Sequence, residues 1–181
     1  MLDEKKLIKK CLEKSEAALE ELYNRFSARL FGVCLRYARN YQDAEDLLHE
    51  GFIRVLDRMK DYRAEGSLEG WMRRVMVTTA INYYHKNWAD HYDVELSEVP
   101  AEDQMYEDTF SYLSTKELLD HIRQLPDGYR IVFNLYVVEG YRHNEIAGML
   151  SISENTSKSQ LMKARNYLMK RIKEDAYEKA I

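Results

Sequence analysis

The sequence predicts an all-α protein of two small helical domains joined by an acidic flexible linker. Three observations support this fold class. Only seven Gly and two Pro occur among 181 residues, and runs of β-branched residues are few, so little interrupts helices. Residues 87–110 contain eight Asp or Glu and no Lys or Arg, which is typical of a solvated linker. A helix-turn-helix pattern follows at residues 141–173.

These patterns set the expected boundaries: a first domain at residues 1–88, a linker at 89–112 and a second domain at 113–181. No apolar stretch of the sequence approaches the roughly 20 residues needed to span a bilayer. The charged N-terminus has no apolar signal core, and two cysteines are too few for a disulfide framework. We therefore expect a cytoplasmic protein that is not an integral membrane protein.

The net charge does not exclude a nucleic-acid partner. The formal charge is −4 and the isoelectric point about 5.8. Residues 87–110 alone contribute −8, so the remainder sums to −4 + 8 = +4. Because the acidity is confined to one segment, basic surfaces remain available elsewhere.

Three amphipathic helices are predicted at the start of the first domain. One spans residues 1–14, and the next begins after Ser15, an expected N-cap. The third runs from Asp43 to about Lys60, with carboxylates in its first turn where the helix dipole favours them. Its separate acidic side consists of Asp43, Asp46 and Glu50. Periodicity alone does not distinguish an interface from an inert, solvated side.

A loop at residues 61–66 precedes a fourth helix, which is capped by Ser67 and runs to about Trp88. Its core-type positions are Leu68, Trp71, Val75 and Thr79. Its other faces carry basic, amide, hydroxyl and aromatic groups: Arg73, Arg74, Thr78, Asn82, Tyr83, Tyr84, His85 and Lys86. Interleaved cations and rings suit single-stranded nucleic acid, because bases stack on rings while cations follow phosphates. The signal is weak alone, since aromatic residues more often serve the core.

The second domain begins with a capping-box sequence at residues 114–117 and a helix that ends before Pro126. The next helix, residues 128–139, is apolar nearly all round, so we expect it to be buried. Gly140 is placed as its C-terminal cap.

The helix-turn-helix pattern consists of a helix at residues 143–150, a turn at 151–153 and a helix from Glu154 to about Ile172. Ser153 is the expected N-cap of the second helix. Seven Lys or Arg and two Glu give residues 141–173 a charge of +5. Such a unit can place its second helix in the major groove, but an ordinary helical hairpin with a solvated basic face has the same pattern.

Four segments together resemble the extracytoplasmic-function (ECF) sigma factors of bacterial RNA polymerase. In chain order they read ELYNRFSARLF, DAEDLLHEGFIRVL, GSLEGWMRRVMVTTAINYYHK and LPDGYRIVFNLYVVEGYRHNEIAGMLSISENTSKSQLMKARNYL. The resemblance runs from about Leu19 to Ile172. It implies that the first domain is a sigma region 2 bundle and the second a sigma region 4 helix-turn-helix. The implied function is promoter-specific initiation of transcription.

The resemblance also implies a role for each matching residue. The residues that would bind the clamp helices of the largest polymerase subunit are Asp43, Asp46, His49 and Glu50. Those that would bind the melted −10 strand are Arg63, Trp71, Arg74, Thr78, Asn82 and Lys86. Those that would face the −35 duplex are Lys158, Ser159, Met162 and Lys163. The implied partners are core RNA polymerase, promoter DNA and an anti-sigma factor. We expect no enzyme activity, no catalytic or metal-binding residue, no cofactor and no small-molecule substrate.

Four residues depart from the family pattern. His49 replaces a usual Gln, and Thr78 replaces a common Asn, which puts a specific base contact there in doubt. Ser151 occupies a turn position where Gly is frequent, and a left-handed conformation would cost it about 1 kcal/mol. Ser157 replaces an inward-packing apolar residue, which predicts a slightly looser recognition helix.

Two other functions remain as alternatives. One is a transcriptional regulator whose helix-turn-helix follows a ligand-binding or dimerisation domain. It should shift promoter duplex without polymerase, whereas a sigma factor should bind poorly alone. The other is an enzyme: Asp46 and His49 have the i, i+3 spacing of half a di-iron carboxylate site. The sequence offers no second such pair, and the remaining histidines lack metal-ligand spacing.

Overall fold

A computed structural model describes residues 3–88 and 115–179 of the chain, with side chains for 3–85 and 117–176. These residues form eight helices: α1 Glu4–Leu12, α2 Glu16–Tyr37, α3 Tyr41–Arg58, α4 Leu68–Trp88, α5 Thr115–Arg123, α6 Asp127–Phe133, α7 His143–Leu150 and α8 Glu154–Lys179. No β-strand occurs within those two ranges. The chain divides into two compact units, Met1–Tyr83 and Tyr84–Ile181. The predicted all-α class with two helical domains is confirmed, while most of the predicted acidic linker lies outside the described residues.

The core of the first unit forms where α2 and α3 pack together. The predicted apolar stripe of α2 is buried, including Leu22, Phe26 and Leu30. Gly51 of α3 allows a close approach to α4, because a Cβ atom there would overlap the Met76 side chain. Both cysteines of this unit are free and buried, and burial raises the pKa of the Cys34 thiol to about 12.

One helix start differs from the prediction, and one predicted cap lacks its hydrogen bond. Helix α3 begins at Tyr41 and not at Asp43, because the Asn40 side chain accepts a hydrogen bond from the Asp43 amide at 2.8 Å and caps the helix earlier. Ser15 holds the N-cap position of α2 as predicted, but its side chain makes no capping hydrogen bond. At the other end of α3, residues 59–61 form a short 3₁₀ turn, so Asp61 does not belong to the loop.

In the second unit, the buried Arg130 fixes the reversal between α5 and α6. Its guanidinium Nη1 donates to the carbonyl oxygens of Arg123 at 3.0 Å and Leu125 at 2.9 Å. Its Nη2 donates to the Asp127 carboxylate at 2.5 Å. The side chain thus satisfies carbonyls at the C-terminus of α5 that have no partner within the helix.

The helix predicted at residues 128–139 is partly wrong. Helix α6 ends at Phe133, and residues 134–138 form a π-helical turn. Ile131 and Leu135 are buried as expected. Three later side chains are instead exposed by 37%, 49% and 37%, namely Tyr136, Val137 and Val138. A run that is apolar all round does not reveal which face is outward, and the wider turn changes the rotation between residues.

The helix-turn-helix forms as predicted. Helix α7 has the predicted bounds, and Ser151 after it is left-handed, with φ 55° and ψ 40°. The Ser153 hydroxyl oxygen accepts from the Thr156 amide at 2.9 Å, so Ser153 caps α8. Helix α8 continues beyond the predicted end at Ile172 to Lys179. Within the described residues, every helix is too short or too polar to cross a membrane.

Candidate functional site

The acidic side of α3 is accessible in the first unit. Asp46 and His49 are exposed, while Asp43 and Glu50 are half-buried. Spacings of three and four residues place these side chains along one side of the helix. Glu50 pairs with Arg54 one turn later, at 2.5 Å, so part of its charge is already balanced. The three carboxylates and the imidazole are thus presented together, as a polar interface requires.

Sequence reasoning missed Ile53 on the same side. Its side chain is 61% exposed, unusually high for isoleucine in a helix with a buried face. It lies seven residues after Asp46 and three after Glu50, so it shares their side of α3. That spacing is the signal that could have identified it. An accessible apolar residue among charges is the arrangement of an interface anchor with a polar rim.

The loop before α4 has a defined shape. The Tyr62 hydroxyl donates to the Gly66 carbonyl at 2.8 Å, which closes the loop on itself. Ala64 and Gly66 both have positive φ, at 56° and 115°. The Tyr62 ring lies against Trp71, with centroids 5.4 Å apart and planes tilted by 50°. Arg63, at the tip of this loop, is exposed.

Three predicted residues of α4 share one exposed face. Arg74, Thr78 and Asn82 recur every four residues, and each is exposed. The Thr78 hydroxyl donates to the Arg74 carbonyl at 2.9 Å, so its hydrogen is already engaged within the helix. Trp71 is half-buried, and the Tyr62 ring lies against it at a tilt of 50°. Lys86 belongs to α4, but its side chain lies outside the described side chains. The face offers a cation, an amide and a ring, which suits a single strand.

The start of α8 presents the predicted duplex-reading residues. Lys158 and Ser159 are exposed, and Met162 and Lys163 are half-exposed one turn later. Lys158 lies 3.9 Å from the exposed Glu154, a pairing that is weak in water. The Ser159 hydroxyl donates to the Thr156 carbonyl at 3.0 Å, which leaves its oxygen as an acceptor. The two cations can bind phosphates or base edges without breaking a strong ion pair.

Ser157 is fully buried, as its inward position requires, but it is not without a partner. Its hydroxyl lies 2.9 Å from Nδ1 of His143 in α7. The polar substitution is thus matched by a second polar residue fourteen positions earlier, which sequence reasoning missed. This contact joins α7 and α8, and the looser recognition helix expected from Ser157 stays a prediction.

The pKa of His143 lies below its ordinary value of 6.5. Burial is the largest cause, and the positive charge of Lys158 acts in the same direction. Glu154 opposes the shift, and Arg165 adds to it. His143 is therefore a neutral hydrogen-bonding group at neutral pH. No cluster of three or more potential metal ligands occurs among the described residues.

Comparisons with known families identify two matches in the order of the chain. The family model for sigma-70 region 2 matches residues 22–89, and that for sigma-70 region 4 matches residues 115–168. The first contains the acidic side of α3, the loop and the exposed face of α4. The second contains the helix-turn-helix up to Leu168.

Individual relatives agree with these matches. The ECF RNA polymerase sigma factor SigW of Bacillus subtilis is 25% identical, over 94% of this chain and 97% of SigW. The ECF RNA polymerase sigma factor SigE of Mycolicibacterium smegmatis is 28% identical over 82% of this chain. This chain spans 59% of the length of that SigE. The sigma factor RpoE of Bartonella quintana, solved with the anti-sigma factor NepR, shares the fold with a TM-score of 0.52 and 17% identity, over 85% of this chain and 96% of RpoE.

Proposed function

Because the chain belongs to the sigma-70 family, as an ECF sigma factor, we propose that it binds core RNA polymerase and directs promoter-specific initiation of transcription. The family consists of initiation factors without catalytic activity of their own, so the chain is not an enzyme. The observation that carries the proposal is that both regions occur in one chain and in the family order.

Each proposed contact is assigned to one surface. The α3 side that contains Asp46, His49 and Glu50, together with Asp43, binds the clamp helices of the largest polymerase subunit. Its accessible carboxylates and the exposed Ile53 support this assignment. In such an interface the charges steer the two proteins together, and burial of the apolar anchor away from water contributes binding free energy.

The loop and α4 bind the melted −10 strand. Arg63 and Arg74 lie on exposed positions from which a guanidinium can contact phosphates, and Asn82 can hydrogen-bond a base. Trp71 is half-buried beside the tilted Tyr62 ring, and stacking of a base on its accessible ring surface is the expected mode. Thr78 acts through its oxygen, since its hydroxyl hydrogen is engaged within the helix. Lys86 is assigned to the phosphates of the same strand.

The N-terminal part of α8 reads the −35 duplex. Lys158 and Lys163 supply cations, Ser159 an acceptor and Met162 an apolar contact, all near the start of the recognition helix. We propose residues 1–88 and 113–181 as the two functional domains, with 89–112 as the tether. The proposal also includes cytoplasmic action and an anti-sigma partner, as RpoE of Bartonella quintana has in NepR.

Run-off transcription with purified core polymerase tests the function. We expect transcripts from a subset of promoters when the protein is added and none from those promoters with core polymerase alone. Gel-shift assays on the same promoters distinguish a sigma factor from a transcriptional regulator, because a regulator would bind duplex DNA without polymerase. Absence of any promoter-specific transcript across a genomic promoter library would exclude the sigma function.

A further inference from the structure

A polar contact joins the two helices of the helix-turn-helix. Nδ1 of His143, the first residue of α7, lies 2.9 Å from the Ser157 hydroxyl of α8. Ser157 is 0% exposed, so water cannot replace that partner. A buried hydroxyl that loses a side-chain partner is costly, and the contact therefore constrains the two helices.

A second contact fixes the His143 ring from another side. The ring stacks on Tyr136 of the π-helical turn, with centroids 4.5 Å apart and an angle of 22° between planes. The stacking on Tyr136 thus orients the imidazole so that its Nδ1 lies next to the Ser157 hydroxyl. Three successive parts of the second unit, the π-helical turn, α7 and α8, are connected through one ring.

The position of Ser157 in α8 links its contact with His143 to the two residues that follow it. Ser157 lies in the first turn of α8, where its amide donates to the Ser153 carbonyl at 3.0 Å. Lys158 and Ser159, which follow it, are exposed. Because a helical turn is rigid, whatever fixes the direction of Ser157 also fixes the directions of the next two side chains.

We propose that His143 is a positioning residue for −35 recognition: through Ser157 it sets the orientation of α8 on α7, and thereby the placement of Lys158 and Ser159 against the duplex. This inference rests on the proposed function of α8. His143 need not touch DNA for this role, and the specificity of the −35 contact depends on a residue outside the recognition helix.

Two amide variants provide a matched test. In His143→Asn the side-chain amide takes the place of Nδ1 and can still bond Ser157, whereas in His143→Gln it takes the place of Nε2. Both remove the ring and its contact with Tyr136 equally. Ser157→Ala removes the other partner. The measurement is the affinity of reconstituted holoenzyme for a promoter that wild type transcribes, with an intact or a scrambled −35 element.

We expect His143→Asn to keep −35-dependent affinity within about twofold of wild type, and His143→Gln and Ser157→Ala to lose about fivefold to tenfold. On the scrambled promoter, all four proteins should bind alike. Affinity for core polymerase is measured in parallel and should not change. This pattern would separate positioning from a general loss of stability.

Three results would overturn the inference. One is Ser157→Ala with wild-type preference for the intact element, whatever the histidine variants do. Another is an equal loss in the Asn and Gln variants. The third is a loss by Ser157→Ala of equal size on both promoters with core binding intact, since that loss would not depend on the −35 element. A wild-type holoenzyme that initiates nowhere would instead refute the proposed function.

Discussion

Gly51 of α3 faces Met76 of α4 so closely that a Cβ atom at position 51 would overlap the methionine Sδ. Met76 is buried, so its side chain would have to repack within the core to make room for that atom. The absence of a side chain at Gly51 therefore leaves room for the Met76 side chain between the proposed polymerase-binding helix and the proposed −10-binding helix.

Gly51→Ala should destabilise the protein by about 1 kcal/mol, because overpacking costs roughly 1–3 kcal/mol and the better helix propensity of Ala returns only about 1. Urea unfolding of the full chain measures the change. The matched control is Gly32→Ala in α2, where a Cβ would meet nothing within 4 Å. That variant should gain up to about 1 kcal/mol. Equal effects at the two positions would contradict the role of Met76.

Charge reversal on α3 should weaken core binding selectively. Asp46→Lys with Glu50→Lys should lower affinity for core polymerase by at least about tenfold, because attraction becomes repulsion across the interface. Glu16→Lys with Glu20→Lys is the control, since both residues are exposed, four apart and on α2. Ile53→Ser should also lower core affinity without altering charge. Binding is measured by competition with a labelled sigma factor; equal losses in the two double variants would reject the assigned surface.

Lys163→Ala should lower −35 affinity of the holoenzyme and reduce the slope of log affinity against log salt by about one, as expected when one phosphate contact is lost. Core affinity should be unaffected. Lys170→Ala provides the comparison, because Lys170 is exposed further along α8, 4.0 Å from Glu174. An unchanged salt slope for Lys163→Ala would show that this lysine does not contact phosphate.

Ser151→Gly should stabilise the protein by about 0.5 kcal/mol. Ser151 is left-handed, with φ 55°, which costs an L-residue roughly 1–2 kcal/mol, while the greater chain entropy of Gly offsets part of that gain. Thermal unfolding measures the difference. Ser151→Ala keeps the strain and should show no gain; a gain as large as that of Gly would assign the effect to loss of the hydroxyl.

His143 should make the folded state sensitive to acid. Its pKa in the folded protein is lowered from 6.5 by burial and by Lys158. The unfolded chain therefore binds a proton first, and the folded state loses relative stability as pH falls below 6.5. This dependence fades well above that pH, where the group is neutral in both states, and ends below the lowered pKa, where both states are protonated. Unfolding of wild type and His143→Asn between pH 5 and 8 tests this, and a constant difference between them across the range would contradict it.

The sequence predicts helix boundaries well where glycine or polar capping residues lie directly at the ends of the helix. Helix α7 has its predicted bounds because Gly140 and the serines of the turn frame it. The sequence predicts the start of α3 two residues too late, because Asn40 has the character of a loop residue and its capping bond is visible only in the structure. The exposed π-helical turn is not predicted, because an all-apolar run shows no difference between a buried and an exposed face. The pairing of Ser157 with His143 is not predicted either, because it depends on how the two helices pack.

The Tyr62–Gly66 hydrogen bond gives the proposed −10-binding loop its form without bound DNA. Ala64 and Gly66 have already adopted left-handed conformations in the free protein. The conformational entropy of these residues is therefore lost during folding, and capture of a DNA base does not have to lose it a second time. For the proposed −10 function, we therefore expect the rate of strand capture to depend on how often polymerase exposes the base, and not on rearrangement of the loop.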